Sequence, residues 1–198
     1  MTIRSCAIVA TLALTTSTAV VAHAEPPASS GVHVFLETDP ATFALGGYAA
    51  HVRVALDAAP GWAFGVGVYG MDLPSFVPAL HPDNEGEDWQ LRINGAYGLF
   101  ADYHFAGTPE GLFVGMQAAL HRDNVSRGDA AVVTEVGTLL LMPRLGYLWH
   151  PIDDVGLYLM PWVGVGGSLE LYRSNEEASD YTSLPLLAFG TLHVGWRL

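Results

Sequence analysis

Residues 89–105, WQLRINGAYGLFADYHF, alternate between two kinds of side chain along their whole length. One set is mostly polar or small, and the other is bulky and apolar. The bulky set is Trp89, Leu91, Ile93, Tyr97, Leu99, Tyr103 and Phe105. Side chains on a β-strand point alternately to opposite faces, so the segment predicts one long strand between two different environments. Bulky residues toward lipid and small or polar residues toward a lumen are typical of a membrane barrel.

Seven further segments alternate in the same way. They are residues 31–38, 46–56, 62–71, 112–121, 135–149, 155–172 and 184–198. Every second connection between the eight segments is short, beginning with the second one at 57–61. Barrels of the bacterial outer membrane have short periplasmic turns and longer extracellular loops. The pattern therefore predicts an all-β fold, an eight-stranded antiparallel up-and-down transmembrane β-barrel spanning residues 31–198.

Aromatic residues support this topology. In the predicted strands six of them face outward at the periplasmic ends: Trp62, Tyr103, Phe105, Tyr147, Trp149 and Trp196. Such girdles mark the interface between membrane and water. Two prolines fit less well, because Pro143 and Pro161 lie inside strands of a closed sheet. A bulge or a lost ladder bond is expected at each of them.

The first residues carry an export signal. Arg4 precedes an apolar stretch, and the sequence Ala22-His23-Ala24 supplies small residues at a cleavage site. Residues 1–24 are predicted to be a signal peptide, and residues 25–30 a short periplasmic segment. Removal of the signal peptide leaves no cysteine, because Cys6 is the one cysteine of the chain. The formal net charge of −12 excludes nucleic acid as a partner.

The closing run Leu192–Leu198 has apolar residues at alternate positions up to the carboxyl end. Val194, Trp196 and Leu198 resemble the C-terminal assembly signal of outer-membrane barrels, which usually ends in Phe rather than Leu. The whole plan resembles the small eight-stranded barrels of the OmpA/OmpX/OmpW class. This resemblance implies a monomer in the outer membrane of a Gram-negative bacterium, in contact with lipid and lipopolysaccharide. It also implies handling by the barrel-assembly machinery. We expect no cofactor. The peptidoglycan-binding domain that follows many such barrels is expected to be absent, because the sequence stops at the last predicted strand.

The inward positions include a set of charged residues. They are Glu37, Arg53, Arg92, Asp102, Arg144, Glu170 and Arg197. An eight-stranded barrel is just wide enough to be filled by its own side chains, and buried charges must pair. We therefore predict an ion-pair network in a largely filled lumen. Inward glycines on the third, fifth and seventh strands reduce the side-chain volume in the lumen. A narrow pore is therefore the alternative to a filled lumen.

Histidines form a second candidate set. His33, His51 and His193 face inward on three strands that become neighbours when the barrel closes. Three imidazoles could bind zinc or copper, but their depths are not fixed by the sequence, so hydrogen-bonded lumen histidines are the prediction. We predict no metal site and no catalytic site.

Two features of the loops suggest further chemistry. Ser75, His81 and Asp83 share one loop, as a lipid A-modifying hydrolase would require, yet no His has Ser two positions later. Acidic residues crowd the long loops and could bind divalent cations, although no spacing resembles a calcium loop.

The sequence thus predicts a structural or surface-interaction protein that is not an enzyme. A narrow, porin-like pore or conduit for small hydrophobic molecules is the first alternative, and a lipid A-modifying enzyme is the second. A secreted lipocalin-like binder would share the strand order but would have a polar exterior.

Overall fold

The computed structural model describes residues 31–128, 133–152 and 155–198, which form eight β-strands and one short α-helix. The strands are β1 (Val32–Thr38), β2 (Tyr48–Leu56), β3 (Trp62–Asp72), β4 (Trp89–His104), β5 (Gly111–Arg127), β6 (Thr134–Leu148), β7 (Leu157–Arg173) and β8 (Leu186–Arg197). The helix, α1, is Pro40–Ala44, and two 3₁₀ turns follow at Pro78–Leu80 and Pro82–Asn84. The predicted signal peptide (1–24) and the segment 25–30 lie outside the described residues. None of the described helices combines the length and apolar character needed to cross a membrane.

The strands form a closed barrel in chain order. Each strand pairs antiparallel with its neighbour, and β1 closes the ring against β8 from Phe35–Arg197 to Thr38–Val194. Closure pairs the backbone groups that an open sheet would leave at its edges. The predicted eight-stranded antiparallel up-and-down barrel is confirmed.

The two ends of the barrel differ. The connections 57–61, 105–110 and 149–156 are short and form what we call the short-turn end. The connections 39–47, 73–88, 128–133 and 174–185 form the long-loop end. The predicted long connection 122–134 is wrong in length, because 128–133 is no longer than 105–110. In two of the short turns Gly61 and Gly107 adopt positive φ, which a β-carbon would disfavour. At the long-loop end the β5 strand continues to Arg127, beyond its predicted end at residue 121.

The predicted orientation of β4 is wrong in its first third. Trp89, Leu91 and Ile93 are buried inside the barrel rather than facing outward. The pairing of β4 shifts by one residue between Ile93 and Gly95, against β5, and β3 shows the matching irregularity. This β-bulge adds one residue, so every side chain before it points to the opposite face. The remaining residues of β4 alternate as predicted.

Both strand prolines lie along the boundary between β6 and β7. Pro143 and Pro161 point outward, and neither position shifts the register. Pairing of β6 with β7 stops at Leu141–Gly167 and resumes at Arg144–Gly164. It stops again after Gly146–Trp162, apart from a single bridge between Trp149 and Leu159. Lost ladder bonds, rather than bulges, therefore accommodate the missing N–H donors.

The long-loop end carries a folded cap above the barrel. Its core consists of Trp89, Leu91, Val125, Val136, Ala178 and Tyr181. Asn84 is fully buried there, and its side chain donates to the carbonyl of Thr182 and accepts from the Thr182 amide, at 2.8 and 2.9 Å. Two long loops are thus joined to each other and to the extended ends of β4, β5 and β6.

Candidate functional site

Arg53 on β2 lies at the centre of the lumen and is completely buried. Its Nε donates to the Glu37 carboxylate on β1 at 2.5 Å, and its Nη1 donates to Asp102 on β4. A buried guanidinium needs such partners, because leaving it unpaired costs several kcal/mol.

Arg144 on β6 completes a four-charge cluster. Its Nε and Nη2 donate to the two oxygens of Asp102 at 2.8 and 2.6 Å, which is a bidentate pair. The cluster therefore holds two carboxylates and two guanidiniums, with a formal charge of zero. It extends across the lumen from β1 to β6. We call Glu37, Arg53, Asp102 and Arg144 the lumen ion cluster.

Aromatic rings and glycines shape the space around this cluster. The guanidinium carbons of Arg53 and Arg144 both lie near the Phe100 ring, at 4.8 and 4.4 Å from its centroid. A β-carbon on Gly65 would overlap the Phe100 ring, and one on Gly115 would overlap the Asp102 carboxylate. The glycines predicted to thin the lining therefore make room for side chains of the neighbouring strand. They do not widen a pore.

Glu37 connects the ion cluster to β7 and β8. It accepts from the Tyr158 hydroxyl at 2.8 Å and from His193 Nδ1 at 2.9 Å. Trp162 Nε1 can only donate, and it lies 3.1 Å from His193 Nε2. His193 is therefore a neutral imidazole that carries its proton on Nδ1. Tyr158 and Trp162 are partners that the sequence pattern did not identify.

His51 and His193 stack with ring centroids 4.6 Å apart. Ligand atoms of His51, His193 and Glu37 lie within 4.8 Å of one another, so Glu37 takes the place that His33 has in the predicted set. Both nitrogens of His193 already take part in hydrogen bonds, and both oxygens of Glu37 accept them. These contacts describe a hydrogen-bonded chain rather than a metal centre.

His33 is separated from the other two histidines, contrary to the prediction. It lies at the short-turn end, where its Nε2 is 2.8 Å from the Asp57 carboxylate. The hydrogen bond from His33 holds the pKa of Asp57 below its usual value, and the Gly31 amide adds to the effect. The register explains the separation, because His33 pairs with Ala55 whereas His51 pairs with Glu37.

Three of the seven predicted network residues lie outside the ion cluster. Arg92 is turned to the outer face by the β4 bulge, and pairs with Asp72 at 2.5 Å. Glu170 faces inward near the long loops, but its partners are Arg173 at 2.9 Å and Ser183 at 2.5 Å. Arg197 is exposed at the short-turn end, opposite Phe35 of β1.

The half of the lumen on the short-turn side is filled. Fully buried side chains there include Phe35, Phe113, Leu148, Tyr158 and Met160. On the long-loop side the structure instead has a cavity of about 330 Å³. The expectation of a largely filled lumen is therefore correct only for the half between the stacked His51 and His193 and the short turns.

The outer surface carries the aromatic residues of the predicted girdle. All six, Trp62, Tyr103, Phe105, Tyr147, Trp149 and Trp196, are exposed, and all lie beside the short turns. Within the predicted assembly signal, Trp196 and Leu198 are exposed, and the Leu198 amide donates to Val34 at 2.9 Å. Their role in membrane anchoring and assembly stays a prediction.

The candidate loop residues do not form a catalytic arrangement. His81 Nδ1 lies 3.3 Å from the Asp83 amide and 3.8 Å from its carboxylate. Within the described ranges, no hydrogen bond joins Ser75 to His81. Asp123 lies on β5 rather than in a loop, where it is buried and accepts from Thr138 at 2.9 Å.

Comparisons with known proteins found similar solved structures, including the following two. A major outer membrane protein from Thermus thermophilus aligns with a TM-score of 0.44 and 14% identity, over 85% of this chain and 100% of that one. Neisserial surface protein A aligns with a TM-score of 0.39 and 15% identity, over 84% and 93% of the two chains. No family model and no curated protein matches the sequence.

Proposed function

We propose that this chain is an integral, monomeric barrel of a bacterial outer membrane, exported by the signal peptide 1–24. The outward positions of the strands support this placement. Leu99 and Val163 are about three-fifths exposed, and similar residues cover the outer face of every strand. A continuous apolar surface of this size is stable in lipid and aggregates in water. The exposed aromatic residues beside the short turns would mark the periplasmic interface.

The barrel is further proposed to be closed to ions, with a structural or surface-interaction role. One observation carries this proposal, namely the completely buried salt bridges of Arg53 to Glu37 and Asp102. The lumen ion cluster, Tyr158 and His193 come from β1, β2, β4, β6, β7 and β8. Breaking one buried pair costs about 3–5 kcal/mol, so spontaneous opening would be rare. Below the cluster, packed aromatic and aliphatic side chains fill the lumen.

The folded cap supports a role at the cell surface. Its core residues and the Asn84–Thr182 hydrogen bonds give two long loops a fixed shape. A fixed surface is suited to contact with lipopolysaccharide or a protein partner, since little ordering entropy is lost on binding. The acidic loops place any such contact in a negatively charged setting.

Two measurements on the natural protein test the proposal. The outer-membrane fraction is run on a gel boiled and unboiled, and a mobility shift on boiling is expected for a detergent-resistant barrel. The purified barrel is then inserted into planar bilayers, where no single-channel events are expected while a trimeric porin gives them. Recovery of the protein in the soluble fraction would refute membrane insertion. Steady single-channel conductance would refute the closed lumen.

A further inference from the structure

The cavity in the long-loop half of the lumen has a defined chemistry. Its volume of about 330 Å³ is at the small end of ligand sites in proteins. Its walls are mainly apolar and include Leu45, Met71, Leu140, Met142 and Phe189. They come from strands on all sides of the barrel and from the chain following α1. The cavity is therefore part of the barrel interior rather than a groove on its surface.

Polar side chains line this cavity in two groups. Asp39, Thr42 and Thr191 are hydrogen-bonded to one another or to the backbone around α1. His51, His193 and Gln117 lie next to the lumen ion cluster, on the floor of the cavity. His193 is satisfied by Glu37 and Trp162, whereas Nδ1 of His51 is buried without a hydrogen-bond partner. This nitrogen is closed off from the cavity as well. A turn of the His51 ring toward the cavity would let a bound polar group pair with it and recover the free energy that an unpaired buried nitrogen costs.

The electrostatics of the floor favour a neutral ligand. The four charges beneath it already balance, and each guanidinium is hydrogen-bonded to a carboxylate. A ligand carboxylate would have to be desolvated there without a free cation. Asp39 also lines the cavity, but it already accepts from the Ala41 amide and the Thr191 hydroxyl beside α1, away from the floor. A hydroxyl group would need only the single partner that His51 offers.

Among the described residues, the cavity opens toward the long-loop end. The cavity rim includes Phe76 and Leu80, whose side chains are 63% and 67% exposed beside the opening. The opposite end is blocked by the ion cluster and the side chains packed below it. The cavity is thus a blind pocket that opens toward the loops, and not a segment of a conduit.

We infer that this pocket is a binding site for a small, largely apolar molecule carrying one uncharged hydroxyl group. The apolar body occupies the space between Met71, Leu140 and Phe189, and the hydroxyl group meets His51 on the floor. The inference concerns the barrel interior. It rests on the closed lumen proposed above but does not depend on the proposed membrane placement.

The test uses the full barrel purified in detergent, with 2-naphthol as the probe and naphthalene as its analogue without the hydroxyl. Equilibrium dialysis, with detergent on both sides, measures saturable binding above micelle partitioning. One 2-naphthol per barrel is expected. Absence of saturable binding to the natural protein would overturn the inference.

Two neighbouring alanines supply a matched pair of variants. Ala49 on β2 is buried and lines the pocket, whereas the next residue, Ala50, is exposed on the outer face. Ala49→Phe is expected to abolish saturable binding, and Ala50→Phe to leave it unchanged. Equal binding by the two variants would place the probe outside the pocket and contradict the inference. Leu187→Trp, at another lining position, replaces Ala49→Phe if that variant loses its mobility shift on boiling.

The role of His51 is tested by His51→Leu. Loss of one hydrogen bond is expected to weaken 2-naphthol binding by roughly tenfold, while naphthalene binding stays unchanged. An equal loss for both probes would show that the histidine shapes the pocket without contacting the hydroxyl group. That result would overturn the assignment of the polar end.

Discussion

Asp102 is the residue on which the lumen ion cluster depends most. Its two oxygens accept hydrogen bonds from Arg53 and Arg144, so this one carboxylate is shared by two buried cations. Glu37 lies beside Arg53 but has no direct contact with Arg144. Removing the charge of Asp102 would leave two guanidiniums facing each other in a medium of low dielectric constant.

Asp102→Asn is expected to lower the free energy of unfolding by about 3–5 kcal/mol, as for other buried pairs that lose one partner. The matched control is Asp72→Asn, which breaks the exposed pair with Arg92 on the outer face. That change is expected to cost only about 0–1 kcal/mol. Urea unfolding of the refolded barrel in lipid vesicles measures both. Equal effects of the two substitutions would contradict the central role of the cluster.

The pKa of Asp57, at the short-turn end, depends on its hydrogen bond with His33. Because the folded pKa of Asp57 is lowered, its hydrogen bond stabilises the folded state above the unfolded pKa. That contribution is lost as the pH falls through the lowered, folded-state pKa. In His33→Phe the pKa of Asp57 is expected to rise toward its usual value, as followed by NMR of the carboxyl carbon. An unchanged pKa would assign the effect to the Gly31 amide alone.

At the level of elements, alternation predicted the number and order of the strands but not the phase of β4. Asn94, Gly95 and Ala96 are short and fit either face, so the pattern of 89–105 concealed the extra residue. Trp89 and Leu91, two of the inward side chains before the bulge, pack in one cluster with Ala178 and Tyr181, more than eighty positions later in the chain. Such a long-range contact leaves no local periodic signal, although it decides which face is buried.

The ion cluster shows a similar division between what sequence can predict and what it cannot. The alternation of side chains along each strand correctly predicted that Glu37, Arg53, Asp102 and Arg144 face the lumen. Alternation with period two is sufficient to predict which face a side chain is on. Which of them meet depends on the stagger between strands, and this stagger is set by pairings such as Phe35 with Arg53. The sequence does not contain that register explicitly, and so sequence reasoning groups Arg197 and His33 with residues at another depth.

Deletion of Asn94 tests the bulge directly. Without the extra residue, period two would turn Trp89, Leu91 and Ile93 outward and remove the core of the cap. We expect chymotrypsin to cleave residues 73–88 and 174–185 several-fold faster, while the mobility shift on boiling remains. Asn94→Gly keeps the residue count and is expected to keep the protection. Unchanged protection in the deletion variant would show that the bulge does not hold the cap.

For the molecule as a whole, the two ends have opposite character. The long-loop end carries exposed acids and the folded cap, and it opens into the pocket. Its exposed acids are Asp72, Asp83, Glu85, Glu87, Asp88, Glu176, Glu177 and Asp180. The short-turn end carries the exposed aromatic residues and closes the lumen with packed side chains. This asymmetry suits a barrel with its loops outside the cell and its turns in the periplasm.

Orientation is tested with single cysteines, since Cys6 is the one cysteine of the chain and lies in the predicted signal peptide. Ser75 in the loop 73–88 and Thr108 in the turn 105–110 are both exposed, so neither Ser75→Cys nor Thr108→Cys should disturb packing. A membrane-impermeant maleimide applied to intact cells is expected to label Ser75→Cys strongly. It should label Thr108→Cys only after the outer membrane is permeabilised, and the parent chain shows the background. The reverse pattern would invert the orientation, and equal labelling of both variants in intact cells would refute a barrel that spans the membrane.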